Sequence, residues 1–361
     1  MTIDRRRFIA GALATSGMIV AAPAIVRAQS ERTFNWKMTN AYPPGSPFYV
    51  TGPGSPTDFC KKVEAMSNGR LKIQHFAAGE LIPALEGFDA VSSGVVEMNA
   101  ANAFFWAGRL PAAQYFTAVP FGMATSGMNA WLYHGGGLEL WHELYAPHNL
   151  IAFPMGNTGT QMTGWFREPL ESVDDLKGLK MRIPGLSGKV YSELGVAVKL
   201  LPGGEIFPAL ERGVIDAAEF VGPYQDRRIG LQKAAKNYYT TGWHEPTNVT
   251  ELMINKQAWE SLPADLQDIV QAAAMACNAE SYAWCESVNA EALDDLVNNQ
   301  GVTARPLPAP IIERLHEVTN DTLESMAAND ASTRKVHDAF MTFKKQYEPW
   351  NGVGERAFLN L

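Results

Sequence analysis

The segment "GLKMRIPGLSGKVYSELG", residues 178–195, sets the grammar of the chain. It reads as a short apolar strand ending at Arg182, a Pro184-Gly185 break, and a helix closed by Gly195. Strand, turn and helix in that order belong to an α/β fold. The placement of Arg182 is less ordinary. A guanidinium is always charged, and burying one unpaired is very costly, so something negative should meet it where the strand ends.

The same alternation extends outward from this point. Upstream, "TFNWKMTN" (33–40), "GRLKIQHF" (69–76) and "VVEMNAA" (95–101) read as strands, and "IPALEGFDAVSSG" (82–94) reads as a helix with Pro83 in its first turn. From residue 150, "NLIAFPMGN", "LKMRIP", "VAVKLL" and "VIDAAEFVG" read as strands, with helices over "SGKVYSELG" and "GEIFPALERG". Such alternation predicts βαβ units and mainly parallel sheets. "YYTTGWHEPTNVTELMIN" (238–255) then crosses back as two extended pieces about a Trp-His-Glu-Pro bend. A long helix is predicted from Pro263 to about Asn299, followed by the strand "GVTARPL" and closing helices. The expected fold class is α/β: two lobes, a ligand cleft between them, and a long helix linking them. Lobe I is expected over 29–150, with 246–300 crossing back to complete it; lobe II over 151–245; a closing strand and C-terminal helices over 301–361. Ligands in open α/β sheets settle at the carboxyl ends of the strands. Arg182, Glu219 and Glu245 all fall at such ends or in the loops after them.

The first 28 residues stand apart. A basic start, an apolar middle of roughly fifteen residues and "VRA" before Gln29 have the anatomy of a secretory signal. "DRRRFIA" fits its twin-arginine form, with Arg5, Arg6 and Phe8 in place, which implies export of a folded protein to the periplasm. The competing reading, a membrane anchor, meets an apolar run that is short and broken by Gly and Pro. Without this leader the chain keeps 26 basic and 37 acidic residues, a net charge of −11. That acidity argues against nucleic acid as a partner, while a local site can still oppose it for a small anion. Cys60, Cys277 and Cys285 are an odd set. Cys277 and Cys285 lie in the predicted long helix, where eight residues span about 12 Å, too far for a disulfide. Buried free thiols are expected.

Catalytic motifs are missing. "HGGG" (134–137) has the look of an esterase oxyanion hole, but no serine sits in G-x-S-x-G, and "GLSGK" fails at its last position. His142 and His148 are six apart, not the i, i+4 pair of a zinc protease. No Walker motif and no strand-following GxGxxG occurs, so neither an enzyme nor an organic cofactor is expected.

Four segments, "HFAAGELIPALEGFDAVSSGVVEM", "GLKMRIPG", "ALERGVIDAAEF" and "INKQAWESLPADLQDIVQAA", resemble the solute-binding proteins of tripartite ATP-independent periplasmic (TRAP) transporters, the DctP-like group. "NAWLYHGGG", "AFPMGNTGTQMTGWF" and "AEFVGPY" are similar to the subgroup that binds 2-oxo acids or lactate with a metal ion. The resemblance implies an extracytoplasmic receptor for a small organic monocarboxylate that delivers it to the small and large TRAP membrane subunits. It also implies that Arg182 holds the ligand carboxylate, and that Glu219, the carbonyl of Phe220, Gln161 and Glu245 surround a cation. Many members carry D-G-x-E-N-P where this chain has Asp216-Ala-Ala-Glu219-Phe220, which weighs against an acidic sugar or dicarboxylate. A receptor for another anion, a dicarboxylate or an aromatic acid, is the rival within the family. Relatives sometimes dimerise through an extended C-terminal helix; monomer and homodimer stay open here.

The residues themselves leave alternatives at each position. Arg182 can offer two parallel donors to a carboxylate, or serve an interlobe salt bridge. Glu219, Glu245 and a substrate carboxylate beside one arginine would repel strongly unless a cation joined them. An oxygen-only set suits Na⁺ or Ca²⁺, not zinc; either glutamate can instead cap or bridge. Gln161 offers an amide to metal or ligand, or is a solvated edge residue. Asn157 serves the same loop or only makes its turn. From "NAFFWAG" (102–108), Phe105 is expected to wall the cleft for a short apolar tail, or to be core.

Overall fold

The computed structural model describes residues 32–361; the expected leader over 1–28, with its twin-arginine motif and cleavage near Gln29, lies outside the described residues. The described chain opens with β1 (Phe34–Asn40), α1 (Pro56–Met66), β2 (Leu71–His75), α2 (Gly87–Ser92) and β3 (Met98–Ala101). Ser55 caps α1 by accepting from Asp58 N. The helix expected over 82–94 is shorter: only its second half winds, beginning at Gly87, and Pro83 stays in the preceding turn. Short 3₁₀ turns over Ala103–Trp106 and Pro111–Phe116 lead to α3 (Thr125–His134) and α4 (Gly137–Tyr145). Then come β4 (Leu150–Asn157), β5 (Gly164–Phe166), β6 (Lys180–Arg182), α5 (Gly185–Glu193), β7 (Ala197–Lys199), α6 (Gly203–Glu211) and β8 (Ala217–Ala218). They are followed by α7 (Pro223–Ile229), α8 (Leu231–Ala234), β9 (Asn237–Thr240), β10 (Val249–Asn255), α9 (Lys256–Ser261) and α10 (Ala264–Asn298). The chain closes with β11 (Thr303–Pro306), α11 (Ala309–Asn329), α12 (Ala331–Val353) and α13 (Glu355–Leu359). Among the described residues, no helix is long and apolar enough to cross a membrane.

Two sheets make two lobes. The first has the order β2-β1-β3-β10-β4, the second β11-β9-β5-β8-β6-β7. Neither is simply parallel: β10 runs antiparallel to β3 and β4, and β5 antiparallel to β8 and β9. Each reversed strand lies beside a point where the chain changes lobe. The expected boundary at 150/151 is also corrected, because β4 pairs with β10 along its length and belongs to the first lobe. The chain crosses through residues 158–163 between β4 and β5, and returns through residues 241–248 between β9 and β10. The crossings are tied together: Gln161 N donates to Glu245 O (3.1 Å), Thr158 N to Asn248 O (3.1 Å), and Thr160 Oγ1 to Pro246 O (3.0 Å).

The helix α10 has 35 residues, about 52 Å of rise. It packs on β4 and α1 of the first lobe and on α7 of the second. At the far end, α11 packs on α5 and α12 returns to α3 and α4, a further bridge between lobes. Apolar clusters fill each lobe, with Met38, Phe59, Leu252 and Cys277 in the first and Met181, Tyr191, Tyr239 and Leu315 in the second. All three cysteines are buried and free.

Candidate functional site

The strand β6 ends where Pro184 and Gly185 interrupt it; Gly185 takes φ +69°, a left-handed conformation natural to glycine. A Cβ there would lie 3.4 Å from Phe104 of the opposite lobe, so the lobes meet at this turn. Arg182, at the end of β6, is 2% exposed and faces the neighbouring strand end. Its Nη1 donates to the Glu219 carboxylate (Oε2, 2.9 Å) and the Glu219 carbonyl (2.6 Å), and its Nε donates to Leu201 O (3.3 Å). The negative partner demanded by the sequence is thus Glu219. No hydrogen bond among the described residues uses Nη2. The expected pair of parallel donors to a ligand is therefore reduced to one free arm.

Glu219 follows β8, which shrinks to two residues because the chain turns away at this glutamate. Its carboxyl is buried, and burial pushes its pKa up to about 8 against the pull of Arg182. Its second oxygen, Oε1, has no hydrogen-bond partner among the described residues. Glu245, on the returning crossing, is also buried and raised to about 7, first by burial and then by the charge of Glu219. Its Oε2 ends a directed chain of donors: Tyr42 hydroxyl to Asn102 Oδ1, Asn102 Nδ2 to Asn248 Oδ1 (2.7 Å), Asn248 Nδ2 to Glu245 Oε2 (2.6 Å). That chain joins the first lobe to the crossing.

Gln161 lies on the outgoing crossing. Its Nε2 donates to Thr158 Oγ1 (3.1 Å), which turns the carbonyl end of the amide away, and that buried oxygen has no partner among the described residues. Phe220 is fixed through its peptide. Val221 N donates to Asp226 Oδ1 (3.0 Å), and Asp226 Oδ2 accepts from Trp165 Nε1 (2.9 Å) and Tyr238 OH (2.8 Å). A trans peptide is planar, so anchoring Val221 N–H points the Phe220 carbonyl the opposite way. No hydrogen bond among the described residues ends on that carbonyl.

The structure therefore brings Arg182, Glu219, Glu245 and Gln161 together at the ends of β6 and β8 and on the two crossings, with Phe220 adjoining. It does not join Asn157 to them by any hydrogen bond. The Asn157 Oδ1 is consumed by Thr125, Thr247 and Gly159 N, which makes the residue a knot for its loop. Phe105 is half-buried, and its ring lies 6.1 Å from that of Tyr42. Phe105 borders a groove of about 1070 Å³ between the 104–114 turns, α5 and α11. Arg182, Glu219 and Glu245 do not line that groove. Charged groups buried with unpartnered oxygens make the closed interior the candidate functional region.

Three residues at the site escaped the sequence reading. Tyr42 stacks on Tyr49 (3.7 Å), and Tyr49 faces Phe220 across the lobes (6.1 Å). Both tyrosines come from the Pro/Gly-rich loop after β1, where an aromatic pair seven apart was the available signal. His244, beside Glu245, is buried; its Nε2 lies 3.7 Å from Glu219 Oε1, and burial lowers its pKa to about 4.

The donor set bears on which group fits here. Two buried carboxylates, an unpartnered amide oxygen and an unused backbone carbonyl are hard oxygen donors, and their like charges repel. These residues fit a hard cation.

A family model for bacterial extracellular solute-binding proteins, family 7 (DctP), matches residues 50–330. Among curated proteins, the chain is 43% identical to a monocarboxylate 2-oxoacid-binding periplasmic protein of Nostoc sp., over 90% of this chain and 88% of that one. Among solved structures, a TRAP periplasmic solute-binding protein of Colwellia psychrerythraea with bound calcium and pyruvate is similar at TM-score 0.87 and 39% identity, over 91% of this chain and 99% of the other. Another, from Pseudoalteromonas atlantica with sodium and pyruvate, has TM-score 0.87 and 38% identity, over 91% and 99%. A third, from Bordetella bronchiseptica with calcium and picolinate, has TM-score 0.88 and 34% identity, over 91% and 96%.

Proposed function

The chain belongs to the DctP family of TRAP solute-binding receptors, and we propose that it captures a small 2-oxo or 2-hydroxy monocarboxylate together with Na⁺ or Ca²⁺. Pyruvate, longer 2-oxo acids and lactate are the ligands in view. The observation that carries this reading is the burial of Arg182, Glu219 and Glu245 as one group, with the Glu219 and Gln161 oxygens unpartnered beside them.

In this reading Glu219, Glu245, the Gln161 carbonyl and the Phe220 carbonyl hold the cation, which when bound supplies positive charge that neutralises the captured acid. Arg182 offers its free Nη2 to the ligand carboxylate, while its pairing with Glu219 holds that carboxylate in place. The similar structures support a shared ligand chemistry: pyruvate and picolinate both carry a donor atom on the carbon next to the carboxylate, so each can chelate one cation. The aromatic pair Tyr42–Tyr49 and Phe105 favour a short apolar tail. Asn157 acts on the ligand through its loop. Closure brings the first-lobe loop against Phe220 and Phe104 against Gly185, a hinge about the two crossings. The family consists of extracellular solute-binding receptors, not enzymes; in this reading the loaded receptor delivers its acid to the small and large TRAP membrane subunits. Periplasmic delivery by the twin-arginine route, and two lobes divided by the crossings near 158–163 and 241–248, complete the proposal.

A thermal-shift panel tests it. Pyruvate, 2-oxobutyrate and lactate should raise Tm in Na⁺ or Ca²⁺ and fail to do so after chelation in sodium-free buffer. A ligand at 100 times its Kd stabilises by about 2.7 kcal/mol, which is readily seen. A larger shift with succinate or benzoate, or shifts indifferent to the cation, would overturn it.

A further inference from the structure

We propose that His244 is a nitrogen ligand that opens the cation site to first-row divalent ions such as Mn²⁺, Co²⁺ and Zn²⁺. The inference rests on the reading of Glu219 and Glu245 as cation ligands and deepens it.

Three observations point this way. The His244 side chain is 0% exposed, and neither ring nitrogen has a partner among the described residues. Buried imidazoles ordinarily bond through at least one nitrogen, so a doubly unpartnered ring calls for a further group. Its Nε2 lies 3.7 Å from Glu219 Oε1, too far for a hydrogen bond, and that oxygen is unpartnered as well. Two polar atoms that face each other at this distance without bonding are spaced as neighbours around a shared ion, since ligands about 2.0–2.2 Å from a metal sit roughly 3–4 Å apart. Finally, Glu219, His244 and Glu245 each present a ligand atom, and all three atoms lie within 4.8 Å of one another.

The chemistry differs from that of the oxygen donors alone. Two carboxylates and an imidazole suit Mn²⁺, Co²⁺ and Zn²⁺, whereas Na⁺ and Ca²⁺ gain little from nitrogen. With neither nitrogen tied to the protein, the ring can present either one. Gln161 and Phe220 would then become weaker, replaceable ligands, and a 2-oxo acid can chelate these ions as it chelates calcium. The site would thus accept an acid carried with a transition ion as well as with a hard one.

The test uses the full mature chain, stripped by chelator and loaded with Mn²⁺ and pyruvate. Electron spin-echo modulation should show imidazole nitrogen coupling that changes on labelling with ¹⁵N-histidine. Calorimetry should give Zn²⁺ and Mn²⁺ affinities at least tenfold above that for Ca²⁺. His244→Ala should abolish the coupling and weaken Zn²⁺ at least tenfold, leaving Ca²⁺ within about threefold. Absence of histidine coupling in the wild-type protein overturns the inference, even if the variant fails to fold. So does equal loss of Zn²⁺ and Ca²⁺ in a folded variant. A Tm rise with pyruvate and Ca²⁺ on the same samples reports separately on the capture reading.

Discussion

Replacing Arg182 by methionine separates what the arginine does for the fold from what it does for a ligand. The side chain is almost wholly buried and makes two contacts with Glu219 and one with Leu201. Breaking a buried ion pair by removing one partner costs about 3–5 kcal/mol, because it leaves an uncompensated charge. Here the cost should fall near the lower limit: burial raises Glu219 to about 8 even beside Arg182, so at neutral pH the carboxyl left without its partner holds a proton rather than a charge. Urea unfolding of the apo protein should therefore show a loss of about 3 kcal/mol. The ligand arm is separate. One charge-assisted hydrogen bond from Nη2 contributes about 1.5–3 kcal/mol, so pyruvate affinity in saturating Ca²⁺ should fall about 10- to 150-fold by calorimetry. Adding Glu219→Gln to the methionine variant removes the buried acid and should recover part of the stability but none of the affinity. If Arg182→Met binds pyruvate within threefold of wild type, or if the double variant loses the sum of the single losses, the reasoning fails.

Three further outcomes follow from other buried positions. Among the described residues the Glu251 carboxyl is held by the neutral donors Trp106 Nε1 and Tyr145 OH (2.8 Å), and burial raises its pKa to about 7. The native state then binds the proton more tightly than the unfolded chain, so stability falls as pH rises from about 4.5 through 7; Glu251→Gln should flatten that slope, recovering on the order of 3 kcal/mol at pH 8, read as urea midpoints against pH. Asp226→Ala strands three buried donors, Val221 N, Trp165 Nε1 and Tyr238 OH, at about 1–3 kcal/mol each, and frees the Phe220 peptide. Calcium affinity should fall at least tenfold in Asp226→Ala and less in Asp226→Asn, which keeps an acceptor for Val221; equal affinities in both would refute the peptide argument. Gly242→Ala would set a Cβ 2.3 Å from Gln161 O and press the two crossings apart, costing about 1–3 kcal/mol in a thermal melt; an unchanged Tm would show that the crossings yield freely.

Arg182 was legible because its cost was legible: a strand, then Pro-Gly, with a permanent charge at the seam. The same reasoning drew Glu219 and Glu245 to the cleft, since both follow strands. Lobe membership was not legible for β4. "NLIAFPMGN" is apolar throughout, and such a run fits the centre of either sheet; only pairing with β10 decides, and pairing is a long-range fact. The mixed strand directions share that cause. The helix over 82–94 is over-read because its apolar spacing is helical, while a turn from Pro83 to Glu86 occupies its first half and α2 begins only at Gly87. Phe105 and Asn157 are drawn to the site by neighbourhood; the structure sets Phe105 at the border of a groove and ties Asn157 Oδ1 into its own loop, while Asn157 Nδ2 is buried without a partner among the described residues. His244 was hidden beside Glu245 in "GWHEPT", where a bend accounts for every residue and spacing says nothing of which side chain turns inward.

Charge balance explains why a cation and protons are alternatives here. Two carboxylates and one guanidinium leave the buried group at −1. Without a cation, raising the Glu219 and Glu245 pKa values to about 8 and 7 is how the protein avoids that charge near neutral pH. A monocarboxylate entering with both glutamates ionised would bring the group to −2, a poor state in a region of low dielectric. Sodium reduces this to −1 and calcium to zero, while each occupies the oxygens that protons would otherwise take. If these glutamates hold the cation, capture should displace protons from them, and the acid and the cation should each improve the other's affinity because neither balances the site alone. In the proposed reading, the two crossings that carry Gln161 and Glu245 are also the segments about which the lobes would turn. On that reading, filling the site would tie both crossings to one point and so convert ion and acid binding into closure without any contact between the ligand and the outer surface.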